Sequence, residues 1–263
     1  MPNFPAVALT ALLAVAACAK SAGVETSSAP SPATSTQTTS TARSSGPRAC
    51  PQPSRPDRRP TVAVMYFDNG AISNRLDYAP LSKGIADMLV VSLRSNCGIR
   101  VVEREQLQRI LDEQNIPADR VDAATRVKIG KLLGAQHMIM GAFVVDPREQ
   151  MAITASAVNV ETSEHEADVD HRDAAKNLFD MIPIVAKKLN DSMKLPAMDL
   201  PVYEVPRPPK RDDELLGIRL YSRALEEQDR GNKSNAITLY RAALDKFPGY
   251  APAQQALRKL QGS

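Results

Sequence analysis

The sequence has no tryptophan, and aromatic residues make up 4% of its 263 positions. That leaves too little aromatic surface for platforms that stack sugars or unpaired bases. Histidine is equally scarce, with three in the chain, so imidazole chemistry is confined to three places. No apolar run reaches the roughly 20 residues that cross a bilayer as a helix. Lysine and arginine outnumber aspartate and glutamate only 33 to 30, and the excess is not gathered on a folded face, which argues against a nucleic-acid partner. It sits instead in residues 19–60, where Lys20, Arg43, Arg48, Arg55, Arg58 and Arg59 stand against Glu25 and Asp57.

What the chain does have begins at its start. Ala6 to Ala17 is a short apolar run ending in Val15-Ala16-Ala17-Cys18. Its length suits the core of an export signal and is too short for a spanning helix. Small residues stopping at a cysteine look like a bacterial lipoprotein signal over 1–18, with Cys18 as the acylated mature terminus. Met1 to Pro5 carries no lysine or arginine, unlike the usual basic start of a signal, so an ordinary secretory signal with a free Cys18 is the competing reading. Ala19 in place of an aspartate leans towards the outer membrane. Two or three acyl chains would anchor the protein stably, placing it in the periplasm on a lipid anchor.

Residues 19–60 are rich in Ser, Thr, Pro and Ala and poor in large apolar residues, so they cannot bury enough surface to fold. As a flexible tether they would span roughly 35 Å. Cys50 lies near the end of this tract and Cys97 in a turn before a strand. In an oxidising compartment the two can pair, although spacing alone does not establish a disulfide.

From Thr61 the pattern changes. Thr61–Phe67 reads as a buried strand that ends at Asp68-Asn69-Gly70. Pro80 opens a helix with Leu81, Ile85, Met88, Leu89 and Leu93 on one face. Ile99–Glu103 is a second strand and Arg104–Gln114 a helix with Leu107, Ile110 and Leu111 inward. Asp122 suits the N-cap of a helix ending at Gly134. Residues 137–145 and 151–161 form a hairpin around Asp146-Pro147-Arg148-Glu149. Glu164–His171 adds a third strand. Ala174–Met193 is a helix with Leu178, Ile182, Val185 and Leu189 inward, kinked or started late by Pro183. The expected fold is α/β over 61–195, a mixed sheet covered by helices, followed by a proline-rich linker at 196–212 and a small helical segment at 213–263.

In that last segment Ala224, Gly231, Asn232, Ala236, Tyr240, Ala243, Leu244 and Pro248 have tetratricopeptide-like spacing. Small residues let two helices approach, Gly231 turns the chain, and Pro248 ends the second helix. Glu227 stands where that repeat usually carries an aromatic. Pro252–Leu260 would cap the pair. One repeat with a cap should lean on the α/β part, a sister subunit or a partner.

No constellation points to catalysis. Gly130-Lys131 lacks the glycine spacing of a phosphate loop and falls in a helix, where Gly130 would serve packing. His137 sits on a strand. In Glu164–His171, strict alternation would put the four carboxylates on one face and His165 and His171 on the other, dividing potential metal ligands. No catalytic residue, metal or cofactor is expected, and the strand reads as a charged edge that resists unwanted pairing.

The motifs together resemble a family. Val62-Ala63-Val64 leads to Phe67-Asp68-Asn69, and Leu81 precedes Gly84-Ile85-Ala86-Asp87-Met88-Leu89. Val101-Val102-Glu103-Arg104 comes next, with Gln106-Leu107 and Ile110-Leu111-Asp112-Glu113-Gln114. Ile129-Gly130-Lys131-Leu132-Leu133-Gly134-Ala135, Gly141 and Val158-Asn159-Val160-Glu161-Thr162 follow. This order resembles the CsgG/HfaB family of bacterial lipoproteins over about 61–195. The resemblance implies a compact α/β domain, often assembled into rings at the outer membrane, in curli-type secretion or assembly. Relatives include activators of peptidoglycan synthases. A homo-oligomer acting on an unnamed protein partner or exported substrate is therefore expected, with a tethered monomeric regulator as the alternative. A membrane pore would need extra hairpins of alternating residues, and the one hairpin found belongs to the core sheet.

Overall fold

The computed structural model describes Cys50 and residues 57–117, 121–198 and 210–262. The signal at 1–18, the acyl site Cys18 and most of the tether lie outside these residues. Chain order runs β1 (Thr61–Val64), β2 (Asp68–Asn69), α1 (Arg75–Tyr78), α2 (Leu81–Leu93), β3 (Arg100–Val101), α3 (Arg104–Glu113), α4 (Ala123–Leu132), β4 (His137–Val145), β5 (Gln150–Asn159), β6 (His165–Ala174), α5 (Leu178–Ser192), α6 (Arg211–Asp229), α7 (Lys233–Lys246) and α8 (Ala251–Gln261).

The sheet runs β3-β1-β4-β5-β6, with β2 paired to β4 beyond the end of β1. β1 is parallel to β3 and β4, while β4, β5 and β6 form an antiparallel meander. Alternation sorts the two faces. Ile139, Phe143 and Val145 of β4 and Met151, Ile153, Ala155 and Ala157 of β5 are buried, and α5 packs over β5 and β6 with α2 beside it. The opposite face is covered only in part. There α4 sits so close to the start of β4 that a Cβ at Gly130 would lie 2.7 Å from Val160 Cγ2 and 3.3 Å from Met138 Cε. Gly130 therefore serves packing, in a helix.

Local signals explain the elements. The Asp122 carboxylate accepts the Thr125 amide at 2.7 Å, capping α4. Gly134 takes φ +62° just past its end, where a side chain would be strained. Leu81, Ile85, Met88, Leu89 and Leu93 are all buried, the single stripe that the spacing predicts. α5 begins at Leu178 after a short 3-10 turn and continues through Pro183.

Two expectations are refined. Residues 57–60, counted with the tether by composition, are already part of the body: Arg100 donates its amide to the Pro60 carbonyl at 2.8 Å. And β6 does not alternate throughout. Its register against β5 steps from Ala157↔Ala167 to Val158↔His165, so Glu166 is an extra residue in a bulge. His165 thereby moves to the face of Asp168, and its Nε2 lies 3.1 Å from the Asp168 carboxylate. His171 stays on the other face, paired with Ile153.

The helices after residue 210 do not stand apart. The described residues from Cys50 on form one compact unit, and Leu215, Ile218, Tyr221, Ala224 and Leu225 of α6 join the same buried cluster as α2 and α5. A Cβ at Gly84 of α2 would fall 1.9 Å from Ser222 Oγ and 2.9 Å from Ser222 Cβ. The helix backbones meet there because both residues are small. α7 docks on α6 through Gly217, where a Cβ would lie 2.8 Å from Phe247 Cβ. Ala224, Ala236, Tyr240 and Ala243 are fully buried and Gly231 turns the chain at φ +80°, whereas Pro248 is exposed.

Candidate functional site

The sequence's polar candidates are scattered rather than convergent. His137 Nδ1 lies 2.7 Å from Glu166 Oε2, and Asn159 donates to Glu166 Oε1 at 3.2 Å. The bulge aims Glu166 across two strands to reach both. No nucleophile joins them, and no group of three metal-ligating side chains exists among the described residues. Lys131 lies exposed on α4.

The most constructed polar cluster joins α6 to the α/β part. Asp229, the last residue of α6, accepts two bonds from Arg104 Nη1 at 2.7 and 2.9 Å and one from Lys83 Nζ at 2.6 Å. Lys83 also reaches Gln108 Oε1 at 3.1 Å, which accepts the Tyr66 hydroxyl at 2.8 Å. Tyr221 donates to Asp87 Oδ2 at 2.5 Å, and Arg104 Nε stands 3.7 Å from the same carboxylate. The Arg104 side chain is 3% exposed and that of Asp229 9%. Burial pushes the Asp87 carboxyl up, against the opposing pull of Tyr221 and Arg104. Burial also drives the Tyr221 hydroxyl well above its ordinary value. For Arg104 burial works against the charge, but Asp229, Tyr66 and Asp87 together outweigh it and the net shift is upward. Two cations and two anions thus form a buried knot of balanced charge, in which Arg104 Nη2 lacks a hydrogen-bond partner.

A clue to this knot was present in the sequence. Lys83 and Arg104 sit in the first turns of their helices and Asp229 in the last turn of its own, each at the end where the helix dipole disfavours its charge. Three such placements call for tertiary partners, and here they are one another's.

The uncovered half of the sheet carries a cleft of about 380 Å³, floored by Gly141, Ala142 and Ala155 and rimmed by Asp68, Arg126, Asp168 and Asp170. Arg126 Nη2 lies 3.5 Å from Asp68. β6 is the edge strand, and Lys188 Nζ donates to the Asp170 carbonyl at 2.6 Å, covering part of its free backbone.

Cys50 and Cys97 are joined by a disulfide, S–S 2.08 Å. Arg59 Nη1 donates to the Cys97 carbonyl at 3.3 Å. In the tail, Glu227 accepts from Asn232 at 2.8 Å, Asn235 at 3.2 Å and Arg230 at 2.6 Å. The Glu227 carboxylate therefore ties the α6–α7 turn.

Residues 44–146 match the family described as curli production assembly/transport component CsgG. None of the curated proteins matches the chain. Similar solved structures include the LpoB C-terminal domain from Salmonella enterica, at 12% identity over 43% of this chain and 82% of that one, with a TM-score of 0.33. Lipoprotein GNA1162 from Neisseria meningitidis is 11% identical over 43% of this chain and 79% of that one, with a TM-score of 0.34. A PelC dodecamer from Paraburkholderia phytofirmans is 12% identical over 53% and 91%, with a TM-score of 0.32. Likenesses this distant carry no information about activity.

Proposed function

We propose, for a chain whose residues 44–146 match the CsgG family, a non-enzymatic role in cell-envelope secretion or assembly. The protein would be held at the periplasmic side of the outer membrane by acylated Cys18 and would work as a homo-oligomeric ring or scaffold. The tetratricopeptide-like helices would recruit a protein partner or exported substrate. The family match is the observation that carries this reading. The fate of the β4–β5 hairpin supports a scaffold over a pore. Its residues Ile139, Phe143, Val145, Met151 and Ile153 have no accessible surface, so the hairpin is committed to the core and unavailable to a membrane barrel.

Light scattering after size exclusion tests the assembly, using the full chain carrying Cys18→Ser. A large, discrete oligomer is expected. A monomer at every concentration would reject the ring and leave the second reading, a tethered regulator of an envelope enzyme such as a peptidoglycan synthase, which the long stretch between Cys18 and Cys50 favours. Membrane partitioning of the acylated chain, compared with Cys18→Ser, tests the anchor; equal partitioning would sink it.

A further inference from the structure

We infer that the segment between β2 and α2 is the contact by which one copy of this chain docks on another, seating Leu76 in the open cleft on the neighbour's sheet; the inference deepens the oligomeric reading above and rests on it. Ile72 is 70% exposed and Leu76 89%. The other large apolar side chains at the surface of the described residues, Leu132 and Val144 among them, are less than half exposed. The segment that carries the two is nonetheless firmly built. The Asn69 carboxamide accepts the Ala71 amide and donates to the Arg75 carbonyl, both at 2.9 Å. The Gly70 amide donates to the Phe143 carbonyl at 2.8 Å and the Ile72 amide to the Val145 carbonyl at 3.0 Å. Tyr78 is buried, and Arg219 of α6 donates to the Asp77 carbonyl at 3.0 Å. An apolar knob held at this many points marks an interaction surface and loses little freedom on binding.

The cleft has the complementary character. α4 covers the open face of the sheet only near Met138. Farther along, alternation puts Met140 and Ala142 of β4 on that face, with their partners Ser156 and Thr154 of β5. Asp168 and Asp170 of β6 continue the same two rows. Small residues leave the hollow of about 380 Å³, within the range of sites that bury a small ligand. Arg126 is drawn to Asp68 at 3.5 Å. Asp168 meets only His165, and Asp170 has no ion pair among the described residues. The next cation along β6, Arg172, is not in the lining. On the knob, Arg75 lies between Ile72 and Leu76, exposed and likewise without an ion pair among the described residues.

Both halves of this fit belong to one chain, so the partner is a second copy. At 89% exposure Leu76 is not seated in its own cleft. The knob is tied to α6, which packs on α2 on the helix-covered side of the sheet, whereas the cleft opens on the other side. Each copy therefore offers a knob to one neighbour and a cleft to the next, the head-to-tail contact from which rings are made. Entry of Leu76 brings Arg75 to the acidic rim, so apolar burial and charge favour the same register. Burying one leucine strengthens association roughly 10- to 100-fold.

The test is light scattering over a dilution series of the full chain with Cys18→Ser. Leu76→Glu should give monomers at concentrations where the unaltered chain is oligomeric. Its circular dichroism spectrum should not change, because the side chain is exposed within the subunit. Leu76→Ala should weaken association roughly 10- to 100-fold. Arg75→Glu and Asp170→Arg should each weaken assembly, and the chain carrying both should recover it, since the charges are exchanged and their attraction is kept. Arg241→Glu, exposed on α7, is the control and should assemble normally. An oligomer that survives Leu76→Glu would overturn the inference and leave the ring reading standing on another contact. A double charge exchange that fails to restore assembly, or an equal loss in Arg241→Glu, would overturn it as well. A monomer at every concentration of the unaltered chain would remove both the inference and the ring.

Discussion

Replacing Asp229 by alanine should cost about 3–4 kcal/mol of folding stability. The carboxylate accepts three charge-assisted bonds, from Arg104 at 2.7 and 2.9 Å and from Lys83 at 2.6 Å. Its removal leaves two cations without their main counter-charge, one of them only 3% exposed. Breaking a buried pair from one side costs about 3–5 kcal/mol. A small refund comes from the dipole: an aspartate in the last turn of a helix is unfavourable by about 0.5 kcal/mol, and alanine removes that. The Arg104 guanidinium cannot escape by losing its proton, because it is ionised at every accessible pH.

Urea unfolding followed by circular dichroism reads the effect. With a slope of about 2–3 kcal/mol per molar, the midpoint should fall by roughly 1–2 M. Asp191→Ala is the matched control. It breaks the exposed Lys187–Asp191 pair at 2.7 Å and should cost no more than about 0.5 kcal/mol. In the double variant with Arg104→Ala, the loss should be smaller than the two single losses added together, since each removes the same interaction. An Asp229→Ala loss no larger than the control's would refute the idea that this knot holds the tail to the core.

Three further outcomes follow from the same joint. Gly84→Ala should destabilise by about 1–2 kcal/mol, because overpacking against Ser222 outweighs the helix-propensity gain of about 1 kcal/mol; adding Ser222→Gly should restore most of it, as thermal melts would show. The Asp87 carboxyl is held above its ordinary range in the folded state, so its contribution to stability is present at acid pH and is lost as pH rises through the raised value. Asp87→Asn should therefore flatten that decline in a series of urea titrations from acid to neutral pH. Truncation after residue 209 should abolish cooperative unfolding. It removes Leu215, Ile218 and Leu225, each worth about 1.5–3 kcal/mol when buried, together with Asp229, and the sum rivals the 5–15 kcal/mol of a whole domain. A sharp transition in the truncated chain would contradict this.

Much of the framework was legible because it is local. The stripe from Leu81 to Leu93, the Asp122 cap, Gly134 and the 137–161 hairpin are each set by residues within a few positions of one another. What escaped was what breaks a local rule or joins distant parts. Strict alternation in β6 fails because one residue, Glu166, bulges out to meet His137 and Asn159, and no period-two reading anticipates an insertion. The joint was hidden by separation: Arg104 and Asp229 lie 125 residues apart. The face of α2 that receives α6 was also misleading in isolation. Gly84 looks like a weak point in a helix, but it is the place where another helix comes closest.

The joint bears on how such a protein could work. A tail hung on a flexible linker could search for a partner independently of the domain that carries it. Here Gly84 against Ser222 and the adjacent Tyr221–Asp87 bond hold the middle of α6, and the Asp229 knot holds its end, so that the described residues from Cys50 on form one compact unit. Any partner taken up by α7 or α8 is then fixed in orientation relative to the sheet and to the Cys50–Cys97 disulfide. A ring would present its tails in one register on every subunit, whereas a monomeric regulator would deliver a single oriented tail at the reach of its leash. In both cases a variant that loosens the joint, such as Asp229→Ala, should impair function in the envelope more than its loss of stability alone accounts for. Restoring stability elsewhere in the body should not rescue it.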